Sequence, residues 1–240
     1  SLAATGRFAR PGVLPAPLPS RRHPIHSRRQ APSVFVPRFV HMPVPLILAS
    51  SSATRAGLLR AAGVAVTLAA PRLDEPAIRD ALLADGARPR DIADALAGMK
   101  ASRIAARNPG AWVIGADQVL DVDGQPLGKP ADRPEARAQL LRLAGRTHRL
   151  HTAVVIHADG APVWRHVDEA RLTMRALSPA WIDGYLDRIG DAATRSVGVY
   201  QIEGEGIRLF SRIEGDYFGI LGLPLIPLLN YLTLREVIPS

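Results

Sequence analysis

The sequence of 240 residues contains no cysteine, which excludes disulfide frameworks, thiolate metal sites and cysteine nucleophiles. It has no Gly-x-Ser-x-Gly elbow and no glycine-rich loop ending in Gly-Lys-Ser/Thr, so neither a serine hydrolase nor a P-loop enzyme is indicated. Lysine is scarce: Lys100 and Lys129 are the lysines among thirty basic residues. With 47% apolar and 22% charged residues, the composition is that of a globular protein, which excludes wholesale disorder.

Residues 1–42 contain no acidic residue and carry seven arginines. Without those arginines the formal charge of +8 falls to about +1, so the excess of positive charge belongs to this segment. If the protein bound nucleic acid, we would expect this segment to be the part that does so. Seven prolines between Pro11 and Pro37 oppose regular structure, and no apolar stretch suits a secretory signal. We therefore expect a disordered extension or upstream sequence over residues 1–42, with the true start at Met42 and a mitochondrial transit peptide as the alternative, and one domain over residues 43–240.

Strands and helices alternate in the rest of the chain, which predicts an α/β protein with a mixed sheet. Short apolar runs typical of buried strands lie at residues 46–50, 64–69 and 112–116. Helical patterns with suitable caps cover residues 55–62, 89–107, 134–143, 178–189 and 225–234. In the second of these helices, Met99 is expected to share the buried face with Ile92, Leu96 and Ile104.

Two further patterns concern the second half of the chain. Residues 149–157 and 162–174 predict long strands joined by an Ala158-Asp159-Gly160 hairpin, which makes part of the sheet antiparallel. The uncharged stretch 217–234 is almost long enough to span a bilayer. It contains Pro224 and Pro227, so we expect a loop followed by a short buried helix, and no membrane partner.

Polar residues follow the first strand in the segment Ser50-Ser-Ser-Ala-Thr-Arg55. Free backbone N–H groups and the positive end of the helix dipole favour an anion there, and the guanidinium of Arg55 can grip phosphate with two hydrogen bonds. An ordinary serine-capped helix is the alternative on this segment alone.

Asp117 follows the apolar run Trp112–Ala116, where we expect that strand to end. A carboxylate at the end of a buried strand in an α/β sheet lies at the usual ligand crevice and can act as a general base or a Mg²⁺ ligand; capping of a turn is the alternative. The nearby turn Gly128-Lys129-Pro130 brings one of the rare lysines within reach of Asp117, although chance in an arginine-rich composition also explains two lysines.

These segments, in this order, resemble the Maf family of nucleoside triphosphate pyrophosphatases, also called septum formation proteins. The resemblance extends from Leu46 to about Leu234. It is carried by Leu46-Ile-Leu-Ala-Ser-Ser-Ser with Arg55, Leu73-Asp-Glu75, Lys100-Ala101, Ile114-Gly-Ala-Asp-Gln118, Leu127-Gly-Lys-Pro130, Leu143-Ala-Gly-Arg-Thr-His148, and Ile213-Glu-Gly-Asp216 with Gly222-Leu-Pro224.

The resemblance implies an elongated mixed sheet with flanking helices, two lobes around a central cleft, and hydrolysis of a nucleoside triphosphate to monophosphate and pyrophosphate. It also implies a divalent cation such as Mg²⁺ or Mn²⁺, a cytoplasmic location and often a homodimer. Matched residue by residue, Asp117 becomes the group that activates water. The other matched residues fall into two sets: phosphate-binding residues Ser50, Arg55, Lys100 and Lys129, and metal ligands Glu75, Asp117 and Asp216.

The positions that select the base in this family correspond to Thr54, Gln118 and Glu203. Gln118 and Glu203 resemble the branch that acts on 7-methyl-GTP, while Thr54 fits neither that branch nor the branch that acts on dTTP and UTP. A carboxylate at Glu203 can accept hydrogen bonds from N1–H and the 2-amino group of guanine. The alternative function is a regulator of septation that binds nucleotides without hydrolysing them.

Overall fold

The computed structural model describes residues 44–239, so the predicted extension over residues 1–42 lies outside the described residues. Seven strands are formed in this part of the chain: β1 Leu46–Ala49, β2 Thr67–Leu68, β3 Trp112–Val122, β4 Gln125–Leu127, β5 Thr147–Ala158, β6 Ala161–Met174 and β7 Phe210–Glu214. The helices are α1 Ala53–Ala61, α2 Glu75–Ala84, α3 Pro89–Ala105, α4 Arg133–Leu143, α5 Pro179–Ile189, α6 Tyr217–Ile220 and α7 Leu225–Leu234. The α/β class with flanking helices predicted from the sequence is confirmed.

All seven strands belong to one mixed sheet in the order β2-β1-β3-β5-β6-β7, with β4 paired to β3. The β1 strand is parallel to both β2 and β3, whereas the pairs from β3 through β5 and β6 to β7 are antiparallel. The predicted hairpin turn at Asp159-Gly160 is present, as is a second turn at Asp123-Gly124, and all four residues have positive φ, as tight two-residue turns require.

One edge of β3 is left open in its middle. The β1 strand pairs with residues 112–115 and β4 with residues 120–122 on that edge, while β5 pairs with the other edge over residues 113–121. Residues 116–119 therefore have no strand beside them on one side. Asp117 lies inside this gap, and β3 continues past it to Val122, so the prediction that the strand ends at Asp117 was wrong.

Helix α3 crosses the sheet face that carries Val113, Asp117 and Val119. The approach is close at Gly115, where an added Cβ would lie 2.1 Å from the carbonyl oxygen of Ala97. Lys100 takes the buried position predicted for Met99, which is 41% exposed. Helical geometry explains the difference. Residues 92, 96, 100 and 104 follow one another at four-residue spacing on one face of the helix, and Met99 does not lie on that face.

The opposite sheet face carries two separate apolar cores. Leu59 of α1 and Leu228 of α7 pack with Ile114 in one core, and Leu140 of α4 and Ile182 of α5 pack with Leu120 in the other. The first core reaches β3 at Ile114 and Ala116, and the second reaches it at Leu120 and Val122. This arrangement agrees with the two-lobed cleft that the resemblance implies.

Three elements differ from the sequence prediction. Helix α2 was not predicted, and it begins at Glu75 with Asp74 as its N-cap. Strand β2 covers Thr67 and Leu68, which is shorter than the apolar run 64–69. The uncharged stretch 217–234 contains the predicted short buried helix as α7, but the segment before it, which was predicted to be a loop, includes the one-turn helix α6. Within residues 44–239, none of the helices combines the length and the apolar character that a membrane span requires.

His148 links the sheet to the loop after α5 and makes folding sensitive to pH. Its ring is 1% exposed and its Nε2 lies 2.8 Å from the hydroxyl of Tyr200. Burial lowers the pKa of His148 from 6.5 to about 4. Below pH 6.5, His148 binds a proton in the unfolded chain but not in the folded chain. The contribution of His148 to the free energy of unfolding is therefore fully present above that pH and is lost as the pH drops toward 4.

We expect this one residue to make the protein about 2 kcal/mol less stable at pH 5 than at pH 7.5. Urea unfolding at the two pH values measures the difference, and His148→Gln is expected to remove most of it. His166→Gln is the matched control, because the His166 side chain is 35% exposed. Equal pH dependence in the native protein and the His148 variant would contradict the assignment.

Candidate active site at the gap in the sheet

The segment between β1 and α1 forms a turn with unused backbone donors. Ser52 is the N-cap of α1 and accepts from the backbone N–H of Arg55, while Ser50 Oγ accepts from the backbone N–H of Ser52. Within the described residues, the N–H groups of Ala53 and Thr54 make no protein hydrogen bond. They stand at the positive end of the helix dipole, where an anion is stabilised.

Arg55 extends from α1 to the open edge of β3. Its Nη1 donates to the carbonyl oxygen of Ala116 at 3.0 Å and approaches Ser50 Oγ at 3.4 Å, and its Nε donates to the carbonyl oxygen of Gly222 at 2.6 Å. These contacts fix the plane of the guanidinium and leave the two N–H groups of Nη2 for a ligand. Burial lowers the pKa of Arg55, while the charges of Asp117 and Glu75 raise it.

Lys100 joins two of the predicted acidic residues. Its Nζ lies 2.6 Å from Oδ1 of Asp117 and 2.8 Å from Oε1 of Glu75. Both Lys100 and Asp117 are 5% exposed, whereas the Glu75 side chain is 42% exposed. A buried ammonium and carboxylate held at this distance in the sheet gap form a charge-paired centre that opens toward solvent through Glu75.

The protonation of Asp117 is tuned by opposing influences. Burial raises the pKa of the Asp117 carboxyl, and the charges of Lys100 and Arg55 act against burial, as does the hydrogen bond from Lys100. A carboxylate with a raised pKa is a stronger base than an exposed one, which suits a group that must accept a proton near neutral pH. Because Lys100 occupies Oδ1, Oδ2 is the oxygen available for that role.

Lys129 is brought to the same cluster by the turn that follows β4. Partial burial of its ammonium group and then the charge of Arg55 lower the pKa of Lys129, while Glu75 acts in the opposite direction. A hydrogen bond from α4 fixes this turn: the side chain of Gln139 donates to the carbonyl oxygen of Gly128 at 3.1 Å. The residue as a whole is exposed, so its ammonium can meet a ligand entering from solvent.

Sequence reasoning missed Arg79 and Gln139. Arg79 lies one turn after Glu75 on α2, and its guanidinium covers Gly128 so closely that an added Cβ there would lie 2.7 Å from Nη1. A glycine beside Lys129 was the signal for a close approach at this turn. Nothing in the sequence identified the arginine that makes the approach.

Two of the three predicted metal ligands form a pair, and the third has a different role in the structure. Glu75 and Asp117 converge on Lys100, and their second oxygens remain available to a divalent cation, which prefers carboxylate and phosphate oxygen. Asp216 instead caps α6, where its Oδ1 accepts from the backbone N–H of Gly219 at 2.8 Å. Over residues 44–239, no group of three acidic or histidine side chains is positioned to hold a metal. Glu75 and Asp117 therefore fit a cation that takes its remaining ligands from water and substrate, and the role of Asp216 stays a prediction.

The three predicted base-selecting residues lie in different surroundings. Thr54 is exposed in the first turn of α1, beside the free N–H groups. Gln118 is half-buried next to Asp117, and its Nε2 donates to Thr152 and to α6. Glu203 is exposed in the loop after α5, near Tyr185, whose pKa is raised to about 12 mainly by burial and then by the charges of Glu205 and Glu203. The structure thus brings Gln118 to the cluster and places Glu203 beside α5.

Comparison with known families agrees with the geometry. The family described as Maf-like protein matches residues 45–235, a span that contains every predicted site residue. The chain belongs to the Maf family. The order of the motifs and the mixed sheet with its gap are therefore those of a Maf protein.

Curated relatives cover most of the chain. A nucleoside triphosphate pyrophosphatase of Ruegeria pomeroyi is 54% identical over 199 residues, which is 83% of this chain and all of that protein. A protein of the same name from Caulobacter vibrioides is 52% identical, covering 80% of this chain and 96% of its own length. A 7-methyl-GTP pyrophosphatase of Brucella abortus biovar 1 is 47% identical, covering 82% of this chain and 99% of its own length.

Proposed function

We propose that this Maf protein hydrolyses nucleoside triphosphates to the monophosphate and pyrophosphate. The observation that carries the proposal is the charge-paired centre in the gap of β3, where Asp117 lies 2.6 Å from Lys100 and within the field of Arg55. A regulator that only binds nucleotides needs the cations but has no use for a buried carboxylate with a raised pKa. The names of the relatives likewise favour hydrolysis over that alternative.

In the proposed reaction, a water oxygen attacks the α-phosphorus while the bond from that phosphorus to the β-phosphate oxygen breaks. Asp117 Oδ2 accepts a proton from the water, and pyrophosphate leaves with the bonding electron pair. Arg55 Nη2, Lys129 and the free N–H groups at the start of α1 hold the phosphate oxygens, on which negative charge is concentrated. Lys100 keeps Asp117 ionised before the proton arrives.

A divalent cation completes the proposal, with Glu75 as the residue that would hold it, because Oδ2 of Asp117 is the oxygen that accepts the proton. Such an ion would neutralise part of the phosphate charge and would orient the triphosphate. The cleft already carries the positive charges of Arg55, Lys100 and Lys129, so Glu75 provides the exposed negative charge that an ion can share with substrate. A homodimer and a cytoplasmic location also belong to the proposal and rest on the resemblance to the family.

For the base, we propose a preference for 7-methyl-GTP over dTTP. The donors of Gln118 are committed to Thr152 and α6, so its oxygen is the atom left for a ligand and it can only accept a hydrogen bond. Glu203 likewise offers only acceptors when ionised. The N1–H and 2-amino groups of guanine are donors that suit acceptors of this kind, and the relative named for 7-methyl-GTP supports this assignment.

Pyrophosphate release with Mg²⁺ or Mn²⁺ tests both parts, using the standard nucleoside triphosphates and 7-methyl-GTP. We expect pyrophosphate and nucleoside monophosphate in equal amounts, with kcat/KM at least about tenfold higher for 7-methyl-GTP than for dTTP. Release of orthophosphate, or no product from any nucleotide, would contradict the reaction. Equal turnover of dTTP and 7-methyl-GTP would leave the reaction standing and contradict the preference.

A further inference from the structure

A row of polar side chains crosses the sheet on the face opposite α3. Gln118 on β3 is the register partner of Thr152 on β5, which is in turn the partner of Asp168 on β6. Helix α6 lies on this row. The segment from Asp216 to Gly222, here called the α6 strap, includes the helix, its N-cap and the turn that leads to α7.

Thr152 ties the α6 strap to the sheet. Its hydroxyl donates to the carbonyl oxygen of Gly219 at 2.8 Å and accepts from Nε2 of Gln118 at 2.9 Å. Thr152 is 1% exposed, so no water competes for these bonds. One hydroxyl therefore acts as donor and acceptor at once, and both of its partners are fixed.

The same contacts set the orientation of Gln118. Its carboxamide faces the carbonyl oxygens of Gly219 and Ile220 at 3.1 and 3.0 Å. Carbonyl oxygens only accept, so the nitrogen of Gln118 must be the atom that points at the strap. The bond to Thr152 holds the nitrogen there, and the oxygen is turned away from α6.

The far end of the α6 strap reaches the phosphate-binding arginine. Gly222 accepts from Nε of Arg55 at 2.6 Å, so a displacement of the strap moves the guanidinium. The strap also lies close to strand β6, because a Cβ added at Gly219 would lie 3.0 Å from Oδ2 of Asp168. Thr152 is thus connected to Gln118 directly and to Arg55 through the strap.

We propose that Thr152 is a positioning residue for this active site. It keeps Gln118 turned so that a nucleobase meets an acceptor, and it anchors the strap that aligns Arg55. The inference rests on the proposed function, and it gives the site a preference for a base whose edge presents N–H donors. Thr152 contacts neither the phosphates nor the base.

Thr152→Val removes the hydroxyl with little change in shape and tests the proposal. We expect the ratio of kcat/KM for 7-methyl-GTP to that for dTTP to fall about tenfold, because the strap that carries the two carbonyl partners of Gln118 loses its tie to the sheet, and the carboxamide can then rotate and present its donors. Thr152→Ser, which restores a hydroxyl, is expected to recover most of the ratio. Thr147→Val is the matched control on the same strand, where an exposed hydroxyl pairs with Thr173.

A native ratio in Thr152→Val, or the same loss in the serine variant, would overturn the proposal. If the valine variant does not fold, Gly219→Ala provides the test, since the added methyl group would lie 3.0 Å from Oδ2 of Asp168, so that the strap or this carboxylate must shift by a few tenths of an ångström. Affinities for α,β-methylene analogues of 7-methyl-GTP and dTTP, measured by calorimetry, give the ratio without turnover. A chain that binds these analogues selectively but releases no pyrophosphate contradicts the proposed reaction and still tests Thr152; a chain that binds neither contradicts both.

Discussion

Asp117→Asn is expected to lower the rate of pyrophosphate release by about a thousandfold or more, which is the range over which a general base contributes to catalysis. Asparagine has the same shape as aspartate but accepts no proton at neutral pH. Lys100 remains paired with Glu75 in the variant, so the ammonium is not left alone. The measurement is kcat for pyrophosphate release, together with the affinity for a non-hydrolysable nucleotide, which we expect to change much less than kcat.

Asp121→Asn is the matched control for this experiment. Asp121 is on the same strand and the same sheet face, is 7% exposed, and accepts from the backbone N–H of Gly124 at 2.7 Å. Its removal alters a turn and leaves the cluster around Lys100 in place, so we expect near-native turnover. If both variants lost activity equally, or if Asp117→Asn retained a tenth of native activity, Asp117 would not be the base.

Much of this site was predictable because its residues lie in short contiguous motifs. The run from Ser50 to Arg55 predicts a helix start that binds anions, and the structure places Arg55 across that start. The apolar strand with Asp117 was likewise evident from local pattern alone. These features depend on neighbours in sequence, and elementary rules of helix capping and strand burial apply to them directly.

The pairing of Lys100 with Asp117 was beyond local reasoning. From the sequence, Met99 was expected on the buried face of α3. The packing of α3 on β3 shows that every fourth residue is buried instead, and one of these residues is Lys100. Glu75 posed the same difficulty, since α2, which begins at Glu75, has no buried residue and was not predicted. Contacts between elements distant in sequence decide such positions.

The gap in β3 also required the three-dimensional topology. From sequence, the strand was expected to stop at Asp117, because a charged residue normally ends an apolar run. The structure continues β3 by pairing it with β5 on one edge throughout, and β1 and β4 share the other edge without meeting. The open stretch between them is a property of pairing register, which a single segment of sequence does not contain.

Gly115→Ala is expected to destabilise the protein by about 3 kcal/mol or more, close to the upper range for an overpacked core. The new methyl carbon would lie 2.1 Å from the carbonyl oxygen of Ala97 and 2.7 Å from the backbone nitrogen of Ala101. Both atoms belong to the backbone of α3, so no side-chain rotation relieves the clash and the helix must move away from β3. Urea unfolding measures the loss of stability.

Gly98→Ala provides the opposite control on the same helix. No atom lies within 4 Å of a Cβ added there, and alanine favours a helix interior over glycine, so we expect a gain of about 0.5–1 kcal/mol. A shift of α3 in Gly115→Ala would also pull Lys100 from Asp117, two residues along β3, and lower turnover in the protein that still folds. Native stability in Gly115→Ala would show that α3 does not need this close approach. The two variants add the same methyl group at a crowded position on β3 and at an open position on α3, so together they separate the cost of overpacking from the gain in helix propensity.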